Sequence, residues 1–274
     1  MTQDHGSNEQ CGGGCMPPSL PKTLGIPVRI NGHGPFLMSV DTGAGHTAIS
    51  PKLAEQLGLE KVGEKEGHGA GGAVTLDLFG IETIEAGGKR VMLSTVGVAG
   101  FVQDMCGSNF EGSLGYDVLQ HGTLTADFAN ESMQFGPSAE TPIDGVPFEI
   151  TSDGQPLVVV ETAINGKGPY RFVVDTGATG TCIAPSLADE LGVERGQDIH
   201  VKGVGGSLDG YFAAAPLEFS IGGLYRGSAA PVVLDIFDAR SGSKCTGDVG
   251  IIGQDIMRDY VVTFDYPHRV IRFQ

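Results

Sequence analysis

Two short stretches carry residue types suited to acid–base chemistry: Asp41-Thr42-Gly43 and Asp175-Thr176-Gly177. Each follows an apolar segment, residues 36–40 and 170–174, that reads as a strand delivering its aspartate to a buried place. A buried carboxylate with no basic partner is costly, and neither motif contains Lys or Arg. Two such groups brought face to face can share one proton, because like charges about 3 Å apart cannot both ionise. The ionised member then takes a proton from water. The protonated member supports a carbonyl oxygen and afterwards protonates a leaving nitrogen. Amide hydrolysis of this kind needs neither a metal nor a covalent intermediate, so no cofactor is expected. The glycines, Gly43 and Gly177, let the backbone come close enough to donate an N–H to each carboxylate. Thr42 and Thr176 are expected to point away and tie the two halves together.

Equivalent motifs call for equivalent elements, and the chain is a repeat. Residues 31–60 (NGHGPFLMSVDTGAGHTAISPKLAEQLGLE) align with residues 165–194 (NGKGPYRFVVDTGATGTCIAPSLADELGVE), with 17 identities in 30 positions at an offset of 134. HGAGG (68–72) matches KGVGG (202–206) at the same offset. GSLGYDVLQHGTLTADFANESMQF (112–135) matches GIIGQDIMRDYVVTFDYPHRVIRF (250–273) at an offset of 138. Three blocks in one order mean duplication of a long unit, hence two lobes and not a solenoid. Residues 136–147, rich in Pro, Gly and polar side chains, read as the linker. The expected division is a disordered tail over 1–22, one lobe over 23–143 and a second over 144–274.

Strands dominate each unit. Residues 157–164 form a β-branched run, 171–174 lead into the second motif, and 261–264 with 270–273 flank a turn at Pro267 and His268. One helix per half is marked: Pro51 opens KLAEQL behind Ser50 and Gly58 closes it, as Pro185 and Gly192 frame SLADEL. The fold class is therefore mainly β and bilobal, with two pseudo-symmetric lobes that each carry a short helix.

With DTGAGHT and DTGATGT, HGAGG and KGVGG, and SLGYD and IIGQD in hand, the chain resembles the pepsin-like and retropepsin-like aspartic peptidases. It is most similar to a single-chain fusion of two retropepsin-type units, and the resemblance spans roughly 23–274. It implies the acid-protease fold, aspartic endopeptidase activity on an extended polypeptide, and catalysis by Asp41 and Asp175. Thr42, Gly43, Thr176 and Gly177 would support the catalytic loops. Gly69, Ala70, Gly71 and Gly72, with Gly203, Val204, Gly205 and Gly206, would form two substrate-binding flaps. Leu114-Gly115 and Ile252-Gly253 would pack beneath the loops. Retropepsins often pair an Asp after DTGA with an Arg after the apolar-apolar-Gly run. Gly45, Thr179, Tyr116 and Gln254 stand there instead, so that ion pair is missing, and the flaps lack the tyrosine typical of pepsins. With both halves in one chain, a monomer suffices. The alternative is a catalytically impaired peptide-binding module of the same fold.

A single Asp-Thr-Gly also makes an ordinary turn; two at equivalent positions, followed by matching blocks, point to chemistry. The glycine clusters are hairpins on either reading, and no helix opening or Lys follows to cradle phosphate. His46 and His68 have no Ser or Cys nucleophile in a recognised context, so no triad is expected. Cys182, in an apolar run, reads as a small buried hydrophobe. Asp127 and Asp265 suit turns or strand ends. Phe101, Met105 and Phe110, in the loop before SLGYD, and Phe237 in its counterpart, would line pockets or fill the lobe core.

The net charge of −16 argues against nucleic acid and against an anionic membrane surface. No run of about 18 apolar residues exists, and the N-terminus lacks the basic start and apolar region of a secretory signal. A cytoplasmic setting is expected. The 5 cysteines are an odd count, and Cys11 and Cys15 lack a companion pair at zinc spacing. The 44 glycines follow no period, which points to many tight turns.

Overall fold

Both halves open on a hairpin set by an Asn-Gly pair. The computed structural model describes residues 23–151, 155–236 and 247–274, without the side chains of Tyr225 and Asp248. The expected tail with Cys11 and Cys15, and also Phe237 and Cys245, lie outside the described residues. β1 (Gly25–Ile30) turns into β2 (His33–Val40) through Asn31 and Gly32, at φ 49° and 79°. Two-residue turns that match strand twist require this left-handed pair, which Asn and Gly tolerate best. There follow β3 (Ala48–Ile49), α1 (Pro51–Gln56), and the hairpin of β4 (Lys61–Gly69) and β5 (Gly72–Gly80). β6 (Thr83–Ala86), β7 (Lys89–Met92), β8 (Thr95–Val98), α2 (Phe101–Cys106) and β9 (Gly112–Leu114) come next. α3 (Tyr116–Leu119) then leads to the hairpin of β10 (Thr123–Asp127) and β11 (Ser132–Gly136).

After β12 (Val146–Pro147) and β13 (Glu149–Ile150) the pattern recurs. β14 (Val158–Ile164) and β15 (Lys167–Val174) form the Asn165-Gly166 hairpin, followed by β16 (Cys182–Ile183), α4 (Pro185–Leu191), β17 (Arg195–Gly203) and β18 (Gly206–Ala213). β19 (Leu217–Ile221), β20 (Leu224–Ala229), β21 (Val232–Val233) and β22 (Asp248–Ile252) complete the second sheet. α5 (Gln254–Met257), β23 (Val261–Asp265) and β24 (Val270–Phe273) end the chain.

The first sheet has the order β4-β5-β8-β3-β9-β2-β1-β6-β7. The second runs β17-β18-β21-β16-β22-β15-β14-β19-β20, with β13 added on β14. The orders correspond strand for strand, so the sequence repeat is a structural repeat in a mostly β, two-lobed molecule. A third sheet, β11-β10-β23-β24-β12, joins the halves. There β10 pairs antiparallel with β23, with Thr125 opposite Thr263 and their hydroxyls 3.4 Å apart. The stretch expected as linker contributes to this sheet, because Val146 and Pro147 pair with β24. Pro147 sits on the edge strand, where its missing N–H costs nothing.

One apolar core runs through both lobes, including fully buried Ile30, Met38, Leu53, Leu114, Phe172, Phe219 and Phe264. Each such side chain contributes about 1.5–3 kcal/mol by leaving water. The two marked helices form as the sequence indicates. Ser50 Oγ accepts from Leu53 N at 3.1 Å to cap α1, and Gly192 closes α4 at φ 70°. α2, α3 and α5 are too short to leave a periodic signal, and residues 101–106, expected as loop, are helical.

Candidate active site

β2 and β15 each end one residue before an aspartate, and a parallel neighbour fixes where that aspartate goes. Asp41 N donates to Leu114 O and Asp175 N to Ile252 O, both at 3.0 Å. The next residues must be glycine. A Cβ on Gly115 would lie 2.5 Å from the His46 carbonyl carbon, and one on Gly253 would lie 2.4 Å from that of Gly180. The loops between the aspartates and β3 or β16 are thus pressed onto the apolar-apolar-Gly strands, as expected.

The missing ion pair has a replacement. Asp117 accepts from Thr47 N at 2.9 Å and from Thr47 Oγ1 at 2.6 Å, while Thr47 Oγ1 accepts from Gly115 N at 3.1 Å. The second half repeats this with Asp255 and Thr181 at 2.9 and 2.6 Å, and with Gly253 N on Thr181 Oγ1 at 3.1 Å. A carboxylate and a threonine hydroxyl here do the bracing of a carboxylate and a guanidinium. The signal was present in SLGYD, IIGQD, GHTA and GTCI, at matching offsets, but hydrogen-bond partners across a loop cannot be paired from spacing alone. Gln254 Nε2 further donates to Thr176 O, and Gln155 Nε2 to Gly43 O, each at 2.6 Å.

The threonines cross the boundary between halves. Thr42 Oγ1 donates to Val174 O at 2.8 Å and accepts from Thr176 N at 2.9 Å. Thr176 Oγ1 donates to Val40 O at 2.9 Å and accepts from Thr42 N at 3.1 Å. The glycines then turn back on their own carboxylates: Gly43 N donates to Asp41 Oδ1 at 2.8 Å and Gly177 N to Asp175 Oδ1 at 2.7 Å. Each glycine also lies against the opposite aspartate, since a Cβ would come within 2.4 Å of Asp175 from Gly43 and 2.8 Å of Asp41 from Gly177.

Asp41 and Asp175 are brought together, each against the other's glycine and near enough to share a proton. Burial holds the Asp41 carboxyl well above the usual carboxylate range, and the Asp175 charge and their shared hydrogen bond add to it. The Gly43 and Ala44 N–H groups pull the other way and are outweighed. Tyr266, missed by sequence reasoning, is buried within electrostatic reach of them, edge-on to Tyr116 at 6.0 Å. Burial, then the charge of Asp41, raises its phenol. Partial burial and the closeness of the two carboxyls therefore favour one negative charge at most on the pair.

Above the pair lies a cleft of about 1450 Å³, lined from both halves. Its roof is the two glycine hairpins, with turns between Gly69 and Gly72 and between Gly203 and Gly206. Their tips touch: Gly71 N donates to Val204 O at 2.9 Å, and a Cβ on Gly71 would lie 2.3 Å from Gly206 N. Only glycine lets two backbones meet this closely. A family profile described as aspartyl protease matches residues 26–118 and, again, 160–256. The chain belongs to the aspartyl protease family. No curated protein matches the chain.

Each matched segment of this aspartyl protease contains one Asp-Thr-Gly motif, one glycine hairpin and one apolar-apolar-Gly strand, so the family unit occurs twice. Of the remaining singled-out residues, His46, His68, Phe101, Met105 and Cys182 line the cleft. His46 Nδ1 lies 3.4 Å from Asp117 Oδ2, and its Nε2 contacts Lys65 Nζ. Phe110 is core, packed on Gly25. Cys182 is buried among aliphatic side chains. Asp127 caps a turn by accepting from Asn130 N at 3.0 Å. Asp265 ends β23 fully buried, accepting from Ser138 Oγ at 2.6 Å with His268 Nδ1 at 2.9 Å. Among the described residues no helix is long and apolar enough to cross a membrane.

Proposed function

We propose that this aspartyl protease is an endopeptidase in which Asp41 and Asp175 activate water against a peptide bond. The observation that carries the reading is the carboxylate pair, one from each half, at the floor of a cleft roofed by two hairpins, with Asp41 raised. One carboxyl of the pair keeps the shared proton and the other is the base. Water held between them loses a proton to the ionised member as it attacks the carbonyl carbon, while the protonated member donates to the carbonyl oxygen. Collapse of the tetrahedral intermediate passes a proton to the leaving nitrogen and restores the pair. An extended polypeptide would bond strand-like to the flap backbones and offer alternate side chains to the cleft walls. The lobes would be residues 23–143 and 144–274, sufficient as a monomer.

The test is digestion of a peptide mixture by wild type, Asp41→Asn and Asp175→Asn. Either substitution should lower turnover at least 10³-fold, as roughly expected for groups acting as one unit, with unchanged far-ultraviolet circular dichroism. Near-wild-type turnover in one variant would refute the two-carboxylate mechanism. Peptide binding by wild type without cleavage would favour the impaired module.

A further inference from the structure

The duplication allows the two sides of the cleft to be compared position by position. Strand alternation puts the residue two before each aspartate on the aspartate's face, with Met38 and Val40, or Phe172 and Val174, on the core face. In the first half that residue is Ser39, and in the second it is Val173. The parallel neighbour places Ser113 beside Ser39, and Ile251 beside Val173. Positions related by the same pseudo-two-fold as the aspartates thus hold a Ser–Ser pair on one side and a Val–Ile pair on the other.

Their surroundings differ accordingly. Ser39 Oγ donates to the half-buried Cys106 Sγ at 3.1 Å and lies 3.3 Å from Gly112 O. Ser113 Oγ is buried and makes no well-formed hydrogen bond among the described residues. It is near enough to influence the Cys106 thiol, which is a weak partner. On the other side, Val173 and Ile251 join Leu157, Val159, Cys182, Leu234 and Ile236 in one buried cluster. Ser113 and Cys106 line the cleft in the first half, as Ile251, Cys182, Leu234 and Ile236 do in the second. A buried hydroxyl held only by a weak thiol partner is poorly satisfied, and an incoming hydrogen-bonding group would relieve it. The equivalent position avoids that burden with Ile.

We propose that the first-half pocket takes a short side chain bearing a hydroxyl or similar hydrogen-bonding group, and the second-half pocket takes an aliphatic one. This rests on reading the cleft as the peptide site. Pockets related by the axis that relates Asp41 and Asp175 flank the bond held at the pair, so they receive the residues on its two sides. Ser113 and Ile251 are then determinants of bond selection.

The test uses uncleavable hydroxyethylene peptides with central pairs Leu-Ser, Ser-Leu, Leu-Leu and Ser-Ser, titrated calorimetrically into wild type, Ser113→Ala and Ile251→Val. One mixed pair should bind tightest and its reverse weakest, about tenfold or more apart. Ser113→Ala should weaken the tightest mixed pair roughly three- to tenfold and leave Leu-Leu unchanged. Ile251→Val, a mild change, should weaken every peptide whose Leu enters the second pocket and spare the others. Equal affinity for both mixed pairs, or an affinity of the tightest mixed pair unmoved by Ser113→Ala, would overturn the assignment. Because the readout is binding, the ranking without any peptide cleavage would retain the pockets and remove the hydrolase reading. Cleavage with a flat ranking would do the reverse.

Discussion

At the residue scale, Asp41 is pulled by opposing influences, and burial wins over the N–H groups of Gly43 and Ala44. The residue after each glycine is Ala44 or Ala178, which has no hydroxyl to stabilise the ionised form. A singly protonated pair should therefore persist to mildly acidic or higher pH, and the rate should trace a bell whose alkaline limb reports loss of that proton. Ala44→Ser with Ala178→Ser should move the limb toward acid and lower neutral-pH activity roughly three- to tenfold. Limbs that stay in place in the pH–rate profile would count against it. The overall charge of −16 also raises carboxylates, but at long range and screened by salt. The same shift predicts a stability effect. The native state binds the Asp41 proton more tightly than the unfolded chain, so stability is full in acid and falls as pH rises from the ordinary aspartate value through the raised one. Asp41→Asn should remove that loss: equal to wild type in acid, and more stable at neutral pH. Thermal melts across pH would show the two curves diverging, and parallel curves would contradict it.

At the scale of elements, each aspartate depends on a strand below it and a hairpin above it. The strand contact is rigid, closed by the Asp117–Thr47 and Asp255–Thr181 braces. The hairpin contact is slight by comparison, resting at the tips on the Gly71–Val204 bond and glycine against glycine. Such a contact suits a roof that must part for a polypeptide to enter. Gly71→Ala places a Cβ where Gly206 backbone stands, so the tips must separate. Steady-state kinetics should show KM rising about tenfold with kcat changed far less, since the carboxylate pair is untouched. Folding stability should move by less than about 1 kcal/mol, because Gly71 lies at a hairpin tip outside the core and the tips can part. An unchanged KM would mean that the closed roof plays no part in holding substrate.

At the scale of the whole molecule, two lobes become one active body through the shared sheet and the crossed threonines. The threonine bonds are buried and reciprocal, so removing one hydroxyl strands two partners in the opposite half. Thr42→Val keeps the shape but leaves Val174 O and Thr176 N without their bonds. It should cost about 2–6 kcal/mol in urea unfolding, from two buried groups at about 1–3 kcal/mol each. Thr176→Val should cost a similar amount, and the double variant less than the sum, because both remove one network. Strict additivity would show that the two threonines act separately.

Much of this was legible in the residues themselves. Asp-Thr-Gly twice, with matching glycine clusters and apolar-apolar-Gly runs, fixes which elements recur and in what order, because side-chain alternation and turn chemistry are local. The mostly β, two-lobed class and the capped helices α1 and α4 follow from the same local rules. What needed the tertiary structure was every contact made across space. Spacing could record that an ion pair was missing, but not that Thr47 and Asp117 close the same loop, since 70 residues separate them. It could align Ser39 with Val173, but only the sheet pairing sets Ser113 beside the one and Ile251 beside the other. It placed Tyr266 in no role, because nothing local marks a phenol that burial sets within electrostatic reach of two carboxylates from different halves. Long-range pairing depends on the energy of the closed fold, where burial and hydrogen-bond satisfaction are decided jointly, and a one-dimensional pattern holds only half of each such pair.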